Sequence, residues 1–114
     1  MKRDDELVRN LLLLVEEISD GHSNYLSEYF VERIPEESSE KVLYHLKYLL
    51  DAGLIEGSYE YILDITPSGR EYLDTIRDDY IWKKTLQKVQ PFGSVTLSVI
   101  AEVAKSLLLN KLGL

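Results

Sequence analysis

Leu49-Leu50-Asp51-Ala52-Gly53-Leu54-Ile55-Glu56-Gly57-Ser58-Tyr59-Glu60-Tyr61-Ile62-Leu63-Asp64-Ile65-Thr66-Pro67-Ser68-Gly69 carries a helix end, a hairpin and a helix start in one short stretch. The helix that ends here begins near Ser38 and runs to Ala52. Val42, Leu43, Leu46, Leu49 and Leu50 recur at helical spacing and predict its buried face. Lys41, Tyr44, His45, Lys47 and Tyr48 fall on the rest of the circumference. Gly53 suits a left-handed helix cap. Leu54-Ile55-Glu56 then reads as a strand, Gly57-Ser58 as a turn and Tyr59 to Thr66 as the returning strand. Tyr61, Leu63 and Ile65 are expected on one face of it. Thr66 is placed to cap the next helix, with Pro67 at its first position.

Upstream, Asp4, Asp5 and Glu6 put acids at a helix start, where the macrodipole favours them. Leu7, Leu11, Leu14, Val15 and Ile18 form the apolar stripe of that first helix, with Leu12 on its edge and Leu13 nearly opposite. Ser19-Asp20-Gly21 ends it. Residues 22–35 admit either a short helix or an edge strand; alternation from Tyr29 to Ile34 favours a strand near 27–33, stopped by Pro35. Downstream, Tyr72, Leu73, Ile76 and Tyr80 share a helix face. Beyond Asp78-Asp79 the apolar positions shift to Trp82, Leu86 and Val89, which predicts a kink or two helices end to end. Gln90-Pro91-Phe92-Gly93 is a break. Ser94 or Thr96 then caps a last helix through Lys111, with Leu97, Ile100, Val103, Ala104, Leu107 and Leu108 on its stripe and Leu109 and Leu112 beyond it.

The expected class is therefore mainly α with a small antiparallel β-hairpin or sheet. Helix, strand, helix, hairpin, helix is the order of a winged helix-turn-helix, here extended by carboxy-terminal helices. Leu49 to Glu56, and Ile65-Thr66-Pro67-Ser68-Gly69-Arg70-Glu71-Tyr72-Leu73, resemble the segments entering and leaving the wing in bacterial regulators of that fold. Residues 1–79 are read as the winged-helix-like domain, and residues 80–114 as a helical extension packed on it.

Length and composition narrow the classes. At 114 residues, 45% hydrophobic and 29% charged, the chain has the make-up of an ordinary globular domain. The absence of cysteine removes disulfides, thiolate zinc sites and cysteine nucleophiles. His22 and His45 are the only histidines, too few for a histidine-rich metal site. Lys2-Arg3 runs into Asp4-Asp5-Glu6, unlike a signal peptide, and Leu11 to Val15 is far too short to span a membrane, so a cytoplasmic protein is expected. Residues 1–79 hold 8 Lys and Arg against 19 Asp and Glu, whereas residues 80–114 hold 5 lysines against Glu102 alone. The net charge of −7 thus conceals an acidic front and a basic tail.

A closer likeness lies in Met1-Lys2-Arg3-Asp4 with Leu7-Val8-Arg9, in Tyr44-His45-Leu46-Lys47 leading into Ala52-Gly53-Leu54-Ile55-Glu56, in Ile76-Arg77-Asp78-Asp79 with Ile81-Trp82, and in Ala104-Lys105-Ser106-Leu107 with Leu112-Gly113-Leu114. In these pieces the chain resembles, over nearly its full length, a family of short bacterial and prophage proteins, domain of unknown function 2513. It departs at Pro67-Ser68-Gly69-Arg70, where the family carries an aromatic and a histidine around the glycine, and between His22 and Glu37. The resemblance implies a winged-helix-like fold and association with mobile elements, and brings no activity.

Function is then a question of binding. Lys41, Tyr44, His45, Lys47 and Tyr48 are the side chains a recognition helix would present to duplex DNA. Glu40 and Asp51 offset the two lysines, and the wing turn Glu56-Gly57-Ser58-Tyr59-Glu60 holds two acids and no base. Missing cations cost DNA affinity directly, because neutralised phosphates release counterions. Lys83, Lys84 and Lys88 form a secondary basic patch. DNA is the ligand the fold plan favours; a protein partner, through Tyr44, Tyr48, Tyr59 and Tyr61, is the alternative the acidity favours. Tyr61 is expected to cover core. The last helix, with Leu109 and Leu112, could pair with its copy in a homodimer.

Catalysis finds no support. Gly53 to Gly57 lacks the lysine and hydroxyl of a phosphate loop, and His45 has no acid partner on its expected exposed face. Asp74, Asp78 and Asp79 read as a helix cap with cationic neighbours rather than as metal ligands. Trp82 is expected in the core. No cofactor is implied.

Overall fold

Asp4 starts the first helix by accepting a hydrogen bond from the Leu7 N–H at 3.0 Å. The computed structural model describes all of residues 1–114. Helix α1 is Asp5–Ile18. Its buried line is Leu7, Val8, Leu11, Leu12 and Val15, so Leu12 is core, whereas Leu13, Leu14 and Ile18 are half-buried. The expected stripe is thus turned by about one residue, because Val8 and Leu12 sit a turn apart on its inner edge.

A two-residue strand β1 (Tyr25–Leu26) leads directly into helix α2 (Ser27–Glu32). The strand expected near residues 27–33 is therefore corrected to a helix. Ser27, Phe30 and Ile34 are the buried positions, a spacing of three and four. Ser27 is pinned at the helix start by long-range bonds: its N–H donates to the Glu60 carbonyl at 2.9 Å, and its Oγ donates to the Tyr59 carbonyl at 2.8 Å.

Helix α3 spans Ser39–Asp51, and the Ser38 hydroxyl accepts from the Lys41 N–H. Val42, His45, Leu46 and Leu49 are buried, while Leu43 is 37% exposed and Leu50 half-buried. The helix closes with the Leu54 N–H on the Leu49 carbonyl and the Gly53 N–H on the Leu50 carbonyl, the paired bonds of a Schellman end.

Strands β2 (Ile55–Gly57) and β3 (Tyr61–Ile65) follow as an antiparallel hairpin, and β1 adds to the other edge of β3, giving the order β1-β3-β2. Ile55 pairs with Ile65 and Glu56 with Asp64, but Gly57 pairs with Ile62. Leu63 is the extra residue of a bulge, which breaks the two-residue alternation. Ile62 and Ile65 are consequently both buried and Tyr61 is 43% exposed, correcting the expectation that Tyr61 covers core.

Helix α4 (Pro67–Ile76) starts under a close approach. Thr66 Oγ1 accepts from the Gly69 N–H and donates to the Gly53 carbonyl at 2.6 Å, and a Cβ on Gly69 would run into the Leu54 carbonyl. The chain divides into two compact units, Met1–Arg70 and Glu71–Leu114, the division falling inside α4.

In the second unit, Asp78 caps helix α5 (Asp79–Val89) by accepting from the Ile81 N–H, which makes two helices of the expected kink. Ile81, Trp82, Thr85 and Val89 are buried; Tyr80 is exposed, so it does not continue the inner face of α4. After a short helical turn at Gln90–Phe92, Thr96 caps helix α6 (Leu97–Lys111), which packs on α5. Ile100 and Ala104 are its buried residues, and Leu109 and Leu112 are exposed. No helix is long and apolar enough to cross a membrane.

Candidate binding face

Helix α3 turns one side outward, and the side chains on it are set largely by carboxylates of the same unit. Lys41 Nζ lies 2.7 Å from Asp4 Oδ2 and 2.9 Å from Glu37 Oε2. Those two bonds raise the Lys41 ammonium above its ordinary pKa. Partial burial works to raise the Asp4 carboxyl, but its bonds to Lys41 and to the Leu7 N–H outweigh this and hold it below the usual range. Nearly two helical turns along, Lys47 Nζ lies 2.9 Å from Asp51 Oδ2 and 5.2 Å from the centre of the Tyr59 ring. The Tyr59 hydroxyl donates to Asp51 Oδ1 at 2.9 Å. Asp51, bonded by Lys47 and Tyr59, is accordingly lowered, and Lys47 is raised.

His45 is not on this face. Its side chain is fully buried, which corrects its expected exposure. Nε2 accepts from the Asp4 backbone N–H at 2.8 Å, and Nδ1 sits 2.7 Å from the Lys41 carbonyl. An amide donor at one nitrogen and a carbonyl acceptor at the other require a neutral ring with its proton on Nδ1. His45 thus joins the start of α1 to α3. The signal for it was present: positions 42, 45, 46 and 49 form a stricter helical stripe than one including Leu43 and Leu50.

Of the five residues expected on a recognition surface, Lys41, Tyr44, Lys47 and Tyr48 do share the outer side of α3, Tyr44 and Lys47 exposed and the other two half-exposed. Sequence reasoning named Tyr44, Lys47 and Tyr59 but missed Leu26 and Glu28 and placed Leu43 inside, and these complete the face. Leu26, Glu28, Glu40, Leu43, Tyr44, Lys47, Tyr59 and Glu60 line one groove of about 680 Å³ between α2, α3 and the β2–β3 turn. The carboxylates of Glu28, Glu40 and Glu60 are exposed, and none has a cationic partner within the chain.

The sequence profile of a family described as hypothetical protein (DUF2513) matches residues 2–96. The chain belongs to the DUF2513 family. It is also 34% identical to an uncharacterized protein of Haemophilus influenzae, an alignment covering 95% of this chain and 96% of the relative. No solved structure matches it significantly.

The DUF2513 match takes in the first unit from residue 2 onward, α4 and α5, and stops at Thr96, the cap of α6. The secondary basic residues Lys83, Lys84 and Lys88 are exposed on α5, in the second unit. Lys84 lies 5.7 Å from the Tyr80 ring, and Lys111 approaches the same ring at 5.0 Å and Asp78 at 3.9 Å. No group of three or more histidine, aspartate or glutamate side chains is placed to hold a metal ion.

Proposed function

We propose that residues 1–70 form a winged-helix-type binding module, acting in the cytoplasm by binding rather than by chemistry, and that α3 and the β2–β3 turn engage a protein partner. The fold part of this reading is supported by the element order α1, β1, α2, α3, β2, β3 and by the antiparallel order β1-β3-β2, with α3 in the position of a recognition helix and the hairpin in that of a wing. The single observation that favours protein over DNA is the state of the lysines. Both cations of α3 are held by carboxylates of the same chain, whereas Glu28, Glu40 and Glu60 face outward unpaired. A phosphate backbone approaching this face would meet excess negative charge and would have to displace Asp4, Glu37 or Asp51 first.

Duplex DNA is the second reading, favoured by Tyr44 and Tyr48 on the outer side of α3, where base-reading side chains would lie. Fluorescence anisotropy with a labelled random-sequence duplex separates the two. No binding is expected even near 50 mM salt, and binding that falls steeply towards about 200 mM would overturn the protein reading.

A further inference from the structure

The groove between α2, α3 and the hairpin turn combines two features that point to one kind of occupant. Its walls are apolar and uncovered: Leu26 is 51% exposed, Tyr59 60%, and Leu43 and Tyr44 37% each. Large apolar side chains gathered around a concave surface mark interaction sites more often than isolated ones do. Its rim is negative. Glu28, Glu40 and Glu60 come from three different elements, and the one cation in the lining, Lys47, is neutralised by Asp51. The groove therefore holds an uncompensated charge of about three carboxylates around an aliphatic and aromatic floor.

We infer that this groove docks a segment of a partner protein in which lysine or arginine side chains flank aliphatic ones, an inference that rests on the protein-binding reading of the same face. The aliphatic groups cover Leu26, Leu43, Tyr44 and Tyr59, and the cations reach the three glutamates. A nucleic acid or an anionic membrane presents the wrong charge to this rim. A purely apolar segment would leave the carboxylates partly desolvated without a counter-charge, which is costly.

The test uses the full chain and a fluorescein-labelled amphipathic peptide of leucine and lysine, beside the same peptide with glutamate for lysine and a random duplex. The leucine–lysine peptide is expected to bind and the glutamate peptide not. Leu43→Asp, and separately the triple variant E28Q/E40Q/E60Q, are each expected to weaken binding about tenfold or more. A control triple variant away from the groove, E17Q/E36Q/E71Q, carries the same net charge and is expected to bind like the parent. Circular dichroism confirms that each variant is folded. Equal weakening by the control triple would reduce the effect to overall charge and overturn the docking site, as would no binding of the leucine–lysine peptide. Binding of the glutamate peptide, abolished by Leu43→Asp, would overturn the basic chemistry while leaving a protein-binding face. Binding of the duplex alone would overturn both readings. Self-association lost on K83A/K84A/K88A and on E28Q/E40Q/E60Q would make the occupant a second copy and overturn a separate partner.

Discussion

The buried imidazole of His45 takes a hydrogen bond at 2.8 Å from the backbone N–H of Asp4, a residue 41 positions earlier in the chain. Asp4 also caps α1 and pairs with Lys41, so three bonds converge on one N-terminal residue. His45→Ala would leave a cavity and orphan the Asp4 N–H, while the Lys41 carbonyl would keep only its helical partner, the N–H of residue 45. The expected cost is roughly 2–4 kcal/mol of folding stability, read from urea denaturation. A loss under about 0.5 kcal/mol, the scale of a surface substitution, would mean that the ring is not the connector described.

The ion pairs made by the α3 lysines shape the pH profile. Asp4 and Asp51 are held below the ordinary carboxylate range in the folded chain, so they stabilise above about pH 4 and lose that contribution as pH falls through their folded values. Lys41 and Lys47 are raised, so they stabilise below about pH 10 and lose that contribution as pH rises through their folded values. From these pairs the urea midpoint is expected to stay flat between about pH 5 and 9 and to decline on both sides. In Asp4→Asn the acid decline should be shallower than in the parent. An unchanged acid limb would count against the Asp4 pairing.

Gly69 tests the approach of α4 to the hairpin. Alanine in a helix is ordinarily better than glycine by up to about 1 kcal/mol. Here the added Cβ meets the backbone carbonyl of Leu54, which cannot swing aside as a side chain could. Overpacking is expected to win, giving net destabilisation of roughly 1–3 kcal/mol in thermal or urea unfolding. A gain in stability for Gly69→Ala would show that the contact relaxes freely.

How far the sequence announces this fold depends on whether the deciding interaction is local. The Gly53 end of α3, the Thr66 cap and the Asp78 cap are local, and each lies where residue chemistry places it. The start of α2 is not local. Ser27 is fixed by the carbonyls of Tyr59 and Glu60, more than thirty residues away, and no pattern in residues 22–35 contains them. The bulge at Leu63 is likewise a property of strand pairing; it turns Tyr61 outward although simple alternation puts it inside. At the candidate site, ranking residues by hydrophobicity placed Leu43 inside and His45 outside. The helical spacing of Val42, Leu46 and Leu49 favours the reverse, once a buried histidine is allowed two satisfied nitrogens. The groove itself was illegible, because Leu26 and Glu28 reach it from the segment whose structure depends on the hairpin.

In the proposed protein-binding reading, neutralisation of the lysines is what disfavours DNA at the α3 face, and a charge change can isolate that effect. In Glu37→Gln with Asp51→Asn, Lys47 loses its carboxylate and Lys41 keeps only Asp4. Solvent-exposed pairs of this kind contribute little to stability, so the variant should stay folded. It is expected to bind a random duplex more tightly than the parent does. Each cation newly engaged with a phosphate steepens the log–log salt dependence by about 0.9, so one or two released lysines set the expected change in slope. A folded variant that remains inert towards DNA at low salt would show that the face is closed to the duplex by shape or by Glu40 and Glu60, rather than by the pairing of Lys41 and Lys47.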